Sequence, residues 1–142
     1  MNPLEIGAID HVVLRVKDLD ASLAFYRDVL GLAIERRLDI GLVQLRAGAS
    51  LIDLVPVSSR LGSAGGPAPG ADGHNMDHFA LALERFDAAA LFAHLDAHGV
   101  DRGDVAQRYG ANGTGPSIYI KDPDGNTVEL KGPATEPRRS NV

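Results

Sequence analysis

The chain contains no cysteine. That absence excludes disulfide staples and thiolate metal sites, and leaves imidazole and carboxylate as the available metal ligands. No apolar run exceeds strand length, so a membrane-spanning helix is not expected. The opening "MNPLEIGAID" lacks the basic segment and apolar stretch of a secretory leader, which sets the expectation of a cytoplasmic protein. No glycine-rich stretch ends in the Lys-Ser/Thr of a phosphate loop, and no Gly-x-Ser-x-Gly elbow occurs. An excess of basic charge is also missing. The net charge is −5, which argues against nucleic acid as a partner. What is there, 142 residues with 44% hydrophobic and 23% charged, suits one globular domain able to bury a core.

The first positive signal is a repeat. Shifting the chain by 67 residues sets "IDHVVLRVKDLDASLAFYRDVLG" over "MDHFALALERFDAAALFAHLDAH". Asp10, His11, Leu14, Asp20, Ala21 and Phe25 then coincide with Asp77, His78, Leu81, Asp87, Ala88 and Phe92. Each copy opens on an alternating strand, passes a polar turn, and enters a helix-period segment. The first helix has Asp20 or Asp18 as its cap, Leu23, Tyr26 and Leu30 at helical spacing, and Gly31 as its stop. The second has Asp87 near its start, Leu91, Phe92 and Leu95 inward, and Gly99 as its stop. Further strands follow: "AIERRL", "GLVQLRAG" and "SLIDLVPV" in the first copy; a poorer segment from Val105 to Tyr109, "SIYIK" and "TVELK" in the second. "DPDGN" between the last two places Pro and Gly as a tight hairpin turn requires.

The module is therefore βαβββ, used twice. Module one spans residues 5–57, a Gly/Pro-rich connector 58–74, module two 75–132, and a disordered tail 133–142, all within a single domain 1–142. The connector, with five glycines and two prolines between residues 58 and 73, reads as mobile, either a passive linker or a lid over a site.

Strand parity selects the candidate site. Successive side chains point to opposite faces, so the residues opposite the helix-covered face can be read off. In the first strand these are His11, Val13 and Arg15; in "SLIDLVPV" Leu51, Asp53 and Val55; in "GLVQLRAG" Gln44 and Arg46. The second copy contributes His78, Ala80 and Ala82, with Ser117, Tyr119 and Lys121, and Thr127, Glu129 and Lys131. His11, Asp53, His78 and Glu129 thus gather on the hollow face. Two imidazoles with one or two carboxylates make a first shell for a divalent cation. A strand His beside an Asp is often only a structural pair. Its recurrence at one position of both copies favours ligands, because core packing has no reason to repeat a polar choice. Asp53, one methylene shorter than Glu129, reads as a ligand, a base or a rim residue. Glu129 and Asp53 are also the candidate catalytic carboxylates.

Other pairs carry less. His94 and His98 are four apart on a helix, but in its last turn, where the dipole favours His. "DPDGNTVE" resembles a calcium loop, with its glycine one place early. His74 sits in the connector without a strong signal.

"DHVVLRVKDLDASLAFYRDVLGL" and "SIYIKDPDGNTVEL", set in paired βαβββ modules, resemble the vicinal oxygen chelate superfamily over residues 5 to 132. That group includes glyoxalase I, fosfomycin-resistance proteins, extradiol dioxygenases, methylmalonyl-CoA epimerase and bleomycin-binding proteins. The resemblance implies an α+β fold, its two tandem modules forming a curved mixed sheet around a central cavity with helices outside. It implies His11, His78 and Glu129 as metal ligands and places Asp53 near the fourth, where Glu is usual. It also implies a homodimer.

The functional expectation is a divalent-metal-dependent enzyme acting on a small oxygen-chelating substrate. It would be a glyoxalase-like lyase or isomerase, or a fosfomycin-resistance-like thiol transferase. The metal is one of Zn, Ni, Mn or Fe. Arg15, Gln44, Arg46, Tyr119 and Lys121 are the candidate substrate-binding residues, and their cationic members hint at an anionic substrate. The alternatives are an extradiol-type ferrous dioxygenase, using a two-His, one-carboxylate triad without Asp53, and a metal-free small-molecule (drug or toxin) binding protein.

Overall fold

The computed structural model describes residues 2–139. The chain divides inside the connector into two compact units, Met1–Pro69 and Gly70–Val142, each built from one copy of the repeat.

Unit one runs β1 (His11–Val16), α1 (Leu19–Leu23), β2 (Ala33–Leu38), β3 (Leu42–Ala47) and β4 (Ser50–Pro56). Its sheet has the order β1-β4-β3-β2, with β1 parallel to β4 and the other pairs antiparallel. Unit two repeats this: β5 (His78–Ala82), α2 (Ala88–Ala97), β6 (Ala106–Gly110), β7 (Gly113–Lys121) and β8 (Thr127–Lys131) form a sheet of order β5-β8-β7-β6, with β5 parallel to β8. The expected βαβββ modules are both present, and each carries its own four-stranded mixed sheet.

Helix starts follow the expected chemistry. Asp18, one of the two expected caps, accepts a hydrogen bond from the Ala21 amide at 3.1 Å, and Asp87 accepts one from Ala90 at 3.1 Å. Gly31 and Gly99 end the helical stretches at positive φ, where a Cβ would clash with its own backbone. The first helix differs from a uniform α-helix: after Leu23 it widens into a π-helical stretch, Ala24–Val29, with Leu30 N–H donating to Phe25 O at 3.0 Å. This winding lets the neighbours Phe25 and Tyr26 both face inward, packed edge to face at 4.9 Å.

One face of each sheet is core. Leu14, Val16, Val43, Leu45, Ile52 and Leu54 are buried in unit one, and Ile118, Ile120, Val128, Leu130 and Leu95 in unit two. In the hairpin between β7 and β8, Asp122 O accepts from Gly125 N–H. The Asp122 carboxylate accepts from the amides of Asp124 and Asn126, at 2.9 and 2.8 Å. The turn is a self-bonded Asx structure, as its Pro and Gly foretell.

Two segments read from composition as loose are tied down. Residues Gly62–Gly65 of the connector form a short 3-10 turn, and the Arg15 side chain donates to the carbonyls of Gly62, Gly65, Gly66 and Pro67 at 2.8 to 3.2 Å. The tail, expected to be disordered from 133, instead bonds to β6 and β7. Thr114 N–H donates to Glu136 O at 3.1 Å; the Tyr109 hydroxyl donates to Arg139 O at 2.9 Å and accepts from Arg139 N–H at 2.8 Å. The start of β7 extends beyond its pairing with β8, and its unpaired backbone recruits this segment, which composition alone does not foretell. The last three positions of the expected tail lie outside the described residues.

Candidate metal centre

In unit one, the register places His11 opposite Leu51 and Val13 opposite Asp53 across the parallel β1–β4 pair. His11 and Asp53 therefore share a face, two residues apart in register. Unit two repeats the relationship: His78 lies opposite Thr127, and Ala80 opposite Glu129. Parity alone brought these residues to one face. The ladders add that Asp53 and Glu129 occupy the same structural position.

Both histidines are held in the same way. The Nδ1 atom of His11 lies 2.7 Å from the Asp10 carboxylate, and that of His78 lies 2.6 Å from Asp77. In the neutral ring, a proton on Nδ1 given to the aspartate leaves the Nε2 lone pair available, the usual way a carboxylate orients a metal-binding imidazole. For His11 the Asp10 hydrogen bond raises the ring's pKa above its ordinary 6.5; burial opposes this, and the charges of Asp53 and Asp10 add to it. His78 also stacks edge-on to Tyr119 at 5.5 Å.

The carboxylates are buried. Asp53 is 3% exposed and Glu129 6%. Asp53 accepts a hydrogen bond on Oδ2 from Gln44 Nε2 at 3.0 Å, while its buried Oδ1 has no partner. Among the described residues the Glu129 side chain makes no hydrogen bond or ion pair. Buried carboxylate oxygens without partners are costly, and a cation is the ligand that removes that cost. The donor set of imidazole Nε2 and carboxylate oxygen therefore fits a divalent transition metal. Each unit carries its own pair of one imidazole and one carboxylate, and no cluster of three or more such groups forms among the described residues.

The expected substrate-binding residues divide. Gln44 and Tyr119 stand directly across from Asp53 and Glu129. Arg46 forms a two-pronged ion pair with Glu35 at 2.7 to 3.2 Å, and Lys121 donates to the Thr127 hydroxyl. The Arg15 guanidinium is taken up by the connector carbonyls. Two arginines escaped sequence reasoning. Arg108 lies 3.9 Å over the Tyr119 ring and donates to the Ser117 hydroxyl at 2.7 Å. Arg36 donates to Gln44 Oε1. Arg36 was hidden by a bulge: pairing shifts between Ile34 and Arg36, so Glu35 has no partner and Arg36, not Glu35, faces Gln44. The signal for it is the run of three polar residues "ERR", which breaks strand alternation.

Residues 8–130 match the Glyoxalase/Bleomycin resistance protein/Dioxygenase superfamily, and the chain belongs to that family, the vicinal oxygen chelate group of the sequence resemblance. Lactoylglutathione lyase GLX1 of Arabidopsis thaliana is 33% identical over 135 residues, covering 89% of this chain and 45% of that protein. The chain thus spans under half the length of this relative. The structure of a lactoylglutathione lyase from Agrobacterium tumefaciens superposes with a TM-score of 0.65 at 30% identity, covering 89% of this chain and 94% of that one. The fosfomycin resistance protein FosX from Listeria monocytogenes, 19% identical, shares the fold with a TM-score of 0.67, over 92% of this chain and 96% of its own. No helix among the described residues is long and apolar enough to cross a membrane.

Proposed function

We propose that the protein is a divalent-metal-dependent enzyme of the glyoxalase type, acting as lyase, isomerase or thiol transferase on a small substrate with two neighbouring oxygens. The observation that carries this reading is the repeated His–carboxylate register pair, with its buried, partnerless Asp53 Oδ1. His11 with Asp53 in unit one, and His78 with Glu129 in unit two, are the side chains that would hold such an ion. A bound divalent cation supplies Lewis-acid stabilisation of negative charge developing on substrate oxygens. Asp10 and Asp77 keep the two imidazoles in the ligating orientation. Glu129 and Asp53, the buried carboxylates of the two sheet faces, are the groups that would take and return a proton. Gln44, Tyr119 and the cationic side chains at the edge of the same faces would orient an anionic substrate. Assembly as a homodimer, read from the resemblance, belongs to the same proposal.

The test is conversion of the thiohemiacetal of a 2-oxoaldehyde and glutathione into the lactoyl thioester, alongside thiol addition to an epoxide phosphonate. Each is run with added Ni, Zn, Mn or Fe. Metal-dependent turnover of either substrate, lost in Glu129→Gln, is expected. Oxygen uptake with catechols instead would contradict the lyase or transferase reading.

A further inference from the structure

We propose that Arg36 is a positioning residue, which fixes the Asp53 carboxylate through Gln44. The inference rests on the reading of Asp53 as a metal-holding group. Val13, Asp53, Gln44 and Arg36 form one row across four strands of the first sheet. The last of them stands there only because the bulge at Glu35 turns it to that face. Bulges of this kind commonly re-aim a side chain beside a functional site.

The polarity of the row is what matters. A glutamine amide has a donor end and an acceptor end and can flip between them. Here the Arg36 Nε–H occupies the Gln44 oxygen. The Gln44 amino group is then committed to Asp53 Oδ2 at 3.0 Å. With Oδ2 taken, the carboxylate presents the partnerless Oδ1. A flipped Gln44 would set its carbonyl against the carboxylate, two acceptors in contact with no proton between them. Gln44 is 8% exposed, so water does little to relieve such a contact.

The two modules differ here. Tyr119 takes the register place of Gln44 opposite Glu129. The orienting amide thus accompanies the shorter carboxylate, whose reach leaves less freedom to find a ligand by itself.

The test uses the full chain and Ni2+ alone as probe, with affinity measured by chelator competition and melting followed with and without the ion. Arg36→Met and Gln44→Leu should each weaken Ni2+ binding by about 10- to 100-fold, the usual effect of losing a group that orients a ligand. Arg36→Lys, which still donates to Gln44, should recover most of that loss. Arg36 is exposed, so its variants are expected to fold even if Gln44→Leu does not. A lower melting temperature without metal, with native Ni2+ affinity and native metal-induced stabilisation in both variants, would overturn the inference and leave the metal reading standing. A native protein that binds no Ni2+, Zn2+ or Mn2+ would overturn both, and is recognised before any variant is made.

Discussion

Asp53 lies two residues beyond the partner of His11 on the parallel β1–β4 pair, and Glu129 lies two residues beyond the partner of His78 on β5–β8. Each pair begins from an imidazole already oriented by the preceding aspartate. A structural role would explain one such arrangement. Two copies of it, on buried carboxylates in an otherwise divergent repeat, point to a shared chemical task.

The Asp10 hydrogen bond raises the pKa of His11, so the protonated ring favours the folded state. That contribution is fully present below 6.5 and is lost as pH rises through the raised folded value. A metal held on His11, as proposed, would run the other way, since a proton on Nε2 would compete with the ion. In Asp10→Asn, the His11 ring-proton resonances should titrate closer to 6.5. An unchanged NMR titration would contradict the assigned cause.

Arg15 holds four connector carbonyls. Arg15→Ala should release the connector and speed trypsin cleavage after the exposed Arg60 several-fold, because cleavage follows local opening. Cleavage at the native rate would show that the connector is held by other contacts.

The core and the caps should respond on different scales. Leu54, fully buried beneath the first sheet, should lose about 2–5 kcal/mol on change to Ala. Asp87→Ala, which removes one cap bond, should cost about 1 kcal/mol. Urea midpoints at unchanged slope would measure both.

Most of the fold was legible in the sequence because each module obeys simple periodicities. Asp10-His11 and Asp77-His78 announced the repeat, and parity sorted Asp53 from Ile52 and Glu129 from Val128. Parity failed where the backbone departs from regularity. The π-helical stretch pairs Phe25 with Tyr26 inside, where helical spacing picks only Tyr26. The bulge at Glu35 brings Arg36 opposite Gln44, where strict alternation puts Glu35. Composition misled in the connector and tail, since glycine and proline say nothing of the Arg15 side chain or the Tyr109 hydroxyl waiting to bind them. The cationic residues near the site were found, but their commitments to Glu35, Thr127 and the connector depend on tertiary neighbours.

Metal content of the purified protein, determined by mass spectrometry beside Glu129→Ala, decides whether these histidines and carboxylates hold an ion. About one equivalent of a divalent transition metal is expected in the native protein, lost in the variant. No metal in the native protein, even after reconstitution with Ni, Zn, Mn and Fe, would contradict the metal reading and favour a metal-free binding protein.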